Sequence, residues 1–145
     1  MPFVNDAYQA RLSDLIFDEY IQAGFTREVI NVTPPAAGAP VTLGTVVFRA
    51  KSLDPAAPYA VVTAAAALVD TNEFAVVFGD GYGFNPSFVP KTIGAGKTNA
   101  VSIKRGPVQL KDYYIKQVHS TLSAANIITL KELLKAQNVI VEVTL

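Results

Sequence analysis

The chain has 145 residues, a length that one domain with one real core accounts for. Twelve basic side chains balance twelve acidic ones, which removes the basic excess that a nucleic-acid or anionic-membrane partner calls for. With no cysteine in the chain, a disulfide framework, thiolate chemistry and a Cys-based zinc site are all excluded.

Charged residues make up only 17% of the chain, against about 25% in typical soluble domains, and half of the residues are apolar. So large an apolar share on so small a body implies burial against partner chains, and an oligomer is expected. The opening "MPFVNDAYQA" lacks the basic-then-apolar order of a secretory signal. The longest mostly apolar run, "PYAVVTAAAALV" at 58–69, is too short to span a bilayer, so a soluble, unexported protein is expected.

In chain order, residues 5–22 place Tyr8, Leu12, Leu15, Ile16 and Tyr20 at helical spacing, with Asn5 or Asp6 as cap and Gly24 as stop. That spacing predicts an N-terminal helix, serving either the chain's own core or an arm that docks on a partner. "FTREVINV" (25–32) alternates and predicts a strand; "TPPAAGAP" (33–40), broken by prolines, cannot be regular structure. "VTLGTVVFRA" (41–50) predicts a second strand, in which Gly44 marks a bulge or a close backbone approach. "YAVVTA" reads as a third strand and "EFAVVFGD" (73–80), aromatic and β-branched, as a fourth.

Residues 79–97 form a stretch of nineteen with five glycines and two prolines, predicted irregular. Loops of that length usually have a task or sit against a neighbour. Its rings Tyr82, Phe84 and Phe88 suit either an interface hot spot or a plug for the chain's own core. "TNAVSIKRG" predicts another strand. "PVQLKDYYIKQV" and "LSAANIITLKELLKAQN" read as helical, the second with Ile127, Leu130, Leu133 and Leu134 on one face and Asn138 as a left-handed stop. "VIVEVTL" closes as a strand. The order predicts an α+β fold: a mainly antiparallel, β-rich domain over 24–145, an N-terminal helix or arm over 1–23, and one or two helices near the C-terminus.

Chemistry finds little to work with. "IGAGKT" (93–98) imitates a phosphate-binding loop, but five residues before Gly96 stands Lys91 where that loop needs glycine. The alternation that follows predicts a strand rather than the helix whose N-terminus would face phosphates. The one histidine, His119, reads as a surface or helix-end residue rather than a catalyst. Asp14 and Asp18 lie one helical turn apart on a solvated face, not across a cleft. Asp80 and Asn85 in "GDGYGFN" fall short of the alternating donors and closing glutamate of a calcium loop. No enzyme activity, catalytic residue, cofactor, metal or small-molecule substrate is expected. Lys104 and Arg105 lack the wider basic surface of a nucleic-acid site.

Three places carry a resemblance. "GFTREVINV" with "VTLGTVVF" (Leu43-Gly44-Thr45-Val46), "AAAALVDTNEFAVVFGD", and "AVSIKRGPVQLKDYYI" followed by "LLKAQNVIVEV" together resemble the head decoration proteins of tailed bacteriophages, the family of the phage lambda head-stabilising protein. The likeness covers about residues 24–145 and lies in the order of the segments more than in any one of them. Two features depart from it: the helical reading of 1–23, where familiar members have a flexible or extended arm, and the 79–97 insertion. The resemblance implies a homotrimer on the outer surface of an expanded icosahedral capsid in the virion, made in the host cytoplasm. It would act as a cement protein that clamps neighbouring major capsid proteins, with no nucleic acid or membrane as partner. It further implies that the arm residues Phe3, Val4, Tyr8, Leu12, Leu15 and Ile16 contact the capsid, while Gly44, Gly106 and Pro107 determine the fold. The alternatives are an oligomeric tail protein forming rings or a tube and, more distantly, a small ligand-binding or hydrolase domain.

Overall fold

Alternation builds the first barrel strand, β2 (Arg27–Thr33): Ile30 and Val32 are buried while Val29, Asn31 and Thr33 face out. The structure, a computed structural model, describes residues 16–19, 26–33, 41–51, 57–80, 92–93 and 97–142. The other described strands are β1 (Ile16–Glu19), β3 (Val46–Ala50), β4 (Tyr59–Val61), β5 (Asn72–Asp80), β6 (Thr92–Ile93), β7 (Lys97–Ile103), β8 (Val108–Lys111) and β9 (Val139–Glu142). Helices α1 (Tyr113–Val118) and α2 (Ala124–Lys135) lie near the C-terminus, and Ala65–Ala67 forms a 3-10 turn.

Strands run in the order β2-β4-β3-β5-β7, and β7 returns to pair with β2 from Arg27↔Ile103 to Val32↔Thr98. The sheet is therefore a closed five-stranded barrel with β6 appended to β7. A barrel of so few strands is narrow, and its inward positions are accordingly filled by Ile30, Val32, Val47, Tyr59, Ala75, Val77 and Ala100. The outward side chains of the neighbouring strands β3, β5 and β7, among them Val46, Phe74, Val76 and Ile103, belong to a second core. A small sheet β1-β8-β9 and the two helices add Val108, Leu110, Ile115, Leu130, Leu134 and Val139 to it. Ser123 caps α2 by accepting the Asn126 N–H at 3.2 Å.

The fold class is thus mostly β, a closed barrel with two short helices, and not α+β. The helix predicted over 5–22 gives way at 16–19 to β1, which pairs antiparallel with β8 (Ile16↔Leu110, Glu19↔Val108). Pairing with a strand far along the chain overrides a local helical period, which counts only neighbours in sequence. "PVQLK" is also not helical: Val108 and Leu110 are buried and Gln109 and Lys111 half-buried, a strand pattern, and α1 starts only at Tyr113. The 79–97 stretch includes the end of β5, all of β6 and the start of β7. The sheets are not wholly antiparallel, because β2–β4 and β8–β9 are parallel.

Two predicted backbone positions stand as read. Gly44 has φ +95°, and a Cβ there would lie 2.9 Å from the Tyr114 carbonyl carbon, so it is a close approach between a turn and α1. Asn138 ends the α2 segment at φ 62°. Gly106, in a cis peptide with Pro107, faces it: a Cβ there would meet the Asn138 oxygen at 1.7 Å.

Candidate functional site

Across the outer face of the barrel, the pairings Thr33↔Ala60 and Phe48↔Ala60 set Thr33, Ala60 and Phe48 in one row. The chain leaving β4 rises beside this row through Thr63, Ala64 and the 3-10 turn, and Asn72 stands at its end. The result is an open groove of about 530 Å³ lined by Thr33, Phe48, Ala60, Val61, Thr63, Ala64, Ala66, Ala67 and Asn72, without a charged side chain. Its wall is tied to the barrel at two points. The Asn72 side chain donates to the Ala67 carbonyl at 2.9 Å. At the other end, the Val62 N–H donates to the Val46 carbonyl at 3.0 Å.

His119 completes that second tie. It caps the C-terminal end of α1, as its position in the sequence allows, but it is buried rather than at the surface. Its Nε2 accepts the Val46 N–H at 2.8 Å, so the ring proton sits on Nδ1, and the ring also hydrogen-bonds the Val62 backbone. Burial pushes its pKa down from the usual 6.5, against the opposing pull of the Val62 bond. The imidazole is neutral and both nitrogens are committed to backbone.

One end of the barrel is closed by charge. Arg49, at the inward position after Val47, donates from Nε and Nη2 to one carboxylate oxygen, Oε1, of Glu73 directly across on β5, and from Nη1 to the Ala57 carbonyl at 3.1 Å. Tyr59 donates its hydroxyl to Glu73 at 3.3 Å, and the Arg49 guanidinium lies 4.4 Å from the Tyr59 ring centre. Lys104 lies 5.7 Å from the same ring and 3.5 Å from Glu28, which also accepts from Arg105 at 3.1 Å. Burial raises the Glu28 pKa, but the Arg105 hydrogen bond and the charges of Lys104 and Arg105 outweigh it and hold the carboxyl below its usual value. Burial pulls Lys104 down, yet Tyr59, Glu28 and Glu73 together lift it above the ordinary lysine value. Burial raises the Tyr59 hydroxyl. The buried carboxylate of Asp112 is held by Lys116 at 3.1 Å and Lys131 at 3.0 Å.

Among the residues singled out from the sequence, Ile16 lies in β1, half-buried and packed against the core that includes Val108 and Leu110. Phe3, Val4, Tyr8, Leu12, Leu15, Tyr82, Phe84 and Phe88 lie outside the described residues, as do Asp14 and Asn85. Lys97 and Thr98 open β7, so the Gly-Lys-Thr triplet leads into a strand and not a helix. Among the described residues no group of three His, Cys, Asp or Glu side chains could hold a metal ion. Sequence reasoning passed over the groove and the Arg49–Glu73 pair. The second left a signal: Arg49 interrupts "TVVFRA" in the phase of Val47, where a charge needs a buried partner. The groove left none, because it arises only once β2 and β4 are neighbours. No family model, curated protein or solved structure matches this chain.

Proposed function

We propose that this chain is a structural protein of a tailed-phage virion, a head decoration protein that binds the outside of an expanded icosahedral capsid as a homotrimer and clamps neighbouring major capsid proteins. The observation that carries the reading is how the segments of the resemblance fold. "VTLGTVVF", "EFAVVFGD" and "AVSIKRG" supply β3, β5 and β7, consecutive in the sheet. "RGP" and "AQN" meet as one joint, where Gly106 donates to the Gln137 carbonyl at 3.1 Å and Val108 to the Asn138 carbonyl at 3.3 Å. Motifs scattered along the chain thus form one continuous body.

The side chains suit this task. His119, Asp112, Glu73 and Glu28 are each spent on holding the fold, while the described surface offers an uncharged groove. A clamp that binds only the expanded lattice stabilises it by mass action and needs no reaction. The test is mass in solution by light scattering, then mixing with compact and with expanded capsids stripped of decoration. A trimer that binds expanded shells alone is expected. A hexamer stacking end to end, indifferent to capsids, would move the assignment to a tail protein.

A further inference from the structure

His119 is the chain's one histidine, and it stands where the groove wall meets the barrel. Three groups converge there: the Val46 N–H on the imidazole Nε2 at 2.8 Å, the Val62 backbone on the same ring, and the Val62 N–H on the Val46 carbonyl at 3.0 Å. Val46, Val62 and His119 are all buried, so water cannot replace a lost partner without the site opening. Val61 and Thr63, on either side of Val62, line the groove, and the wall continues through Ala64 and the 3-10 turn to its other anchor at Asn72.

We propose that His119 is an acid-sensitive latch for this wall: a proton on Nε2 turns the acceptor of the Val46 N–H into a second donor, and the segment from Val62 to Ala64 comes away from β3. Two clusters of charge on the neighbouring elements are paired among themselves. On α1 and α2, Asp112 holds Lys116 and Lys131; on β3 and β5, Arg49 holds Glu73. Among the described residues, burial and the Val62 bond are what act on the ring, with no neighbouring carboxylate to stabilise an imidazolium. Asn72 and the packing of Ala67 and Leu68 keep the far end of the wall attached, so the opening is local and its hinge lies in the 3-10 turn. The latch is independent of what the groove receives.

Hydrogen exchange on the intact chain between pH 7.5 and 5, corrected for the chemical pH dependence of exchange, tests this. The opening constant of Val46, Val62 and the wall should rise by up to about tenfold per pH unit, the limit for one proton taken up on opening, while β5 and β7 keep their protection. His119→Gln, which retains a donor and an acceptor but does not titrate, should abolish the rise. Since that variant could fail to fold, ring titration of the wild type by NMR provides a second reading, with the Val46 and Val62 amide shifts following the single imidazole resonance. Amides indifferent to the ring's titration, or acid opening that strips β5 and β7 at the same pH as the wall, would overturn the proposal.

Discussion

The side-chain amide of Gln137 brackets the backbone of Phe74: its Oε1 accepts the Phe74 N–H at 2.8 Å and its Nε2 donates to the Phe74 carbonyl at 2.7 Å. The same Nε2 donates to the Lys104 carbonyl at 2.8 Å. Registered pairing between β5 and β7 begins only at Val76↔Ile103, so below that point one side chain takes the place of a strand. Gln137→Ala leaves these groups without partners and should cost about 1–3 kcal/mol in urea unfolding. Gln137→Glu turns a carboxylate toward two carbonyls and should cost more at pH 7 than alanine does. A Glu variant as stable as wild type would show that the bracket does not depend on its donor.

The Arg49–Glu73 pair should respond asymmetrically. Arg49 is 7% exposed and Glu73 25%, so removing the carboxylate strands the more deeply buried charge. Glu73→Leu is expected to cost about 3 kcal/mol, and Arg49→Met less, since Glu73 keeps the Tyr59 hydroxyl and some solvent. The double variant Arg49→Met/Glu73→Leu should recover most of the loss. Chemical denaturation of the wild type and the three variants, read as a double-mutant cycle, decides it; equal single losses would place the pair in solvent-like surroundings.

Stability should fall in two acid windows with different origins. His119 has a folded pKa below 6.5, so the unfolded chain takes up a proton first and stability declines as pH drops from 6.5 toward the folded value. The slope is at most about 1.4 kcal/mol per pH unit for one group. Glu28, depressed below 4.5, contributes stability above that pH and loses it as pH falls through its folded value. Urea midpoints across pH 8 to 3 should show the first decline vanish in His119→Gln and the second shrink in Glu28→Gln, the latter also with added salt.

Gly106 and Asn138 should tolerate opposite substitutions. Gly106→Ala drives a Cβ into the Asn138 carbonyl and is expected to abolish folding or cost more than about 3 kcal/mol. Asn138→Gly should be near neutral, whereas Asn138→Ala should lose about 1 kcal/mol at φ 62°. Thermal melts suffice; a wild-type melt for Gly106→Ala would mean that the joint with Asn138 moves freely.

Truncation separates fold from proposed function. Removing residues 1–14 leaves β1 and its pairing with β8 in place, so the melting temperature should hold while binding to expanded capsids is lost. Removing 1–23 takes away β1 with Ile16 and should lower the melting temperature as well. Undiminished capsid binding by the shorter chain would remove the arm from the clamp.

What the sequence made legible was whatever local chemistry decides. β5 follows from its β-branched and aromatic run, α2 from the spacing of Ile127, Leu130 and Leu134, and the left-handed Asn138 from its place after a helix. Illegible were the features made by distant partners. Ile16 fits a helical face and a strand equally well until Leu110 is opposite it. The inward phase of Arg49 is plain, but Glu73 becomes its partner only through the β3–β5 register. Both the groove and the His119 tie depend on β4 lying between β2 and β3, an order that no local pattern specifies.

The seam of the barrel has a consequence for how the molecule forms. β2 finds neither partner nearby in sequence: Val32 lies beside Tyr59 on one edge and Thr98 on the other. Until β7 has been laid down against β5, β2 borders an open sheet and its inward Ile30 and Val32 have no enclosed interior to enter. Long-range closures of this kind are slow and all-or-none, because the entropy of the intervening chain is lost before any contact repays it. Barrel formation is therefore expected to be a late, single event in which the earliest strand of the barrel waits for the last one.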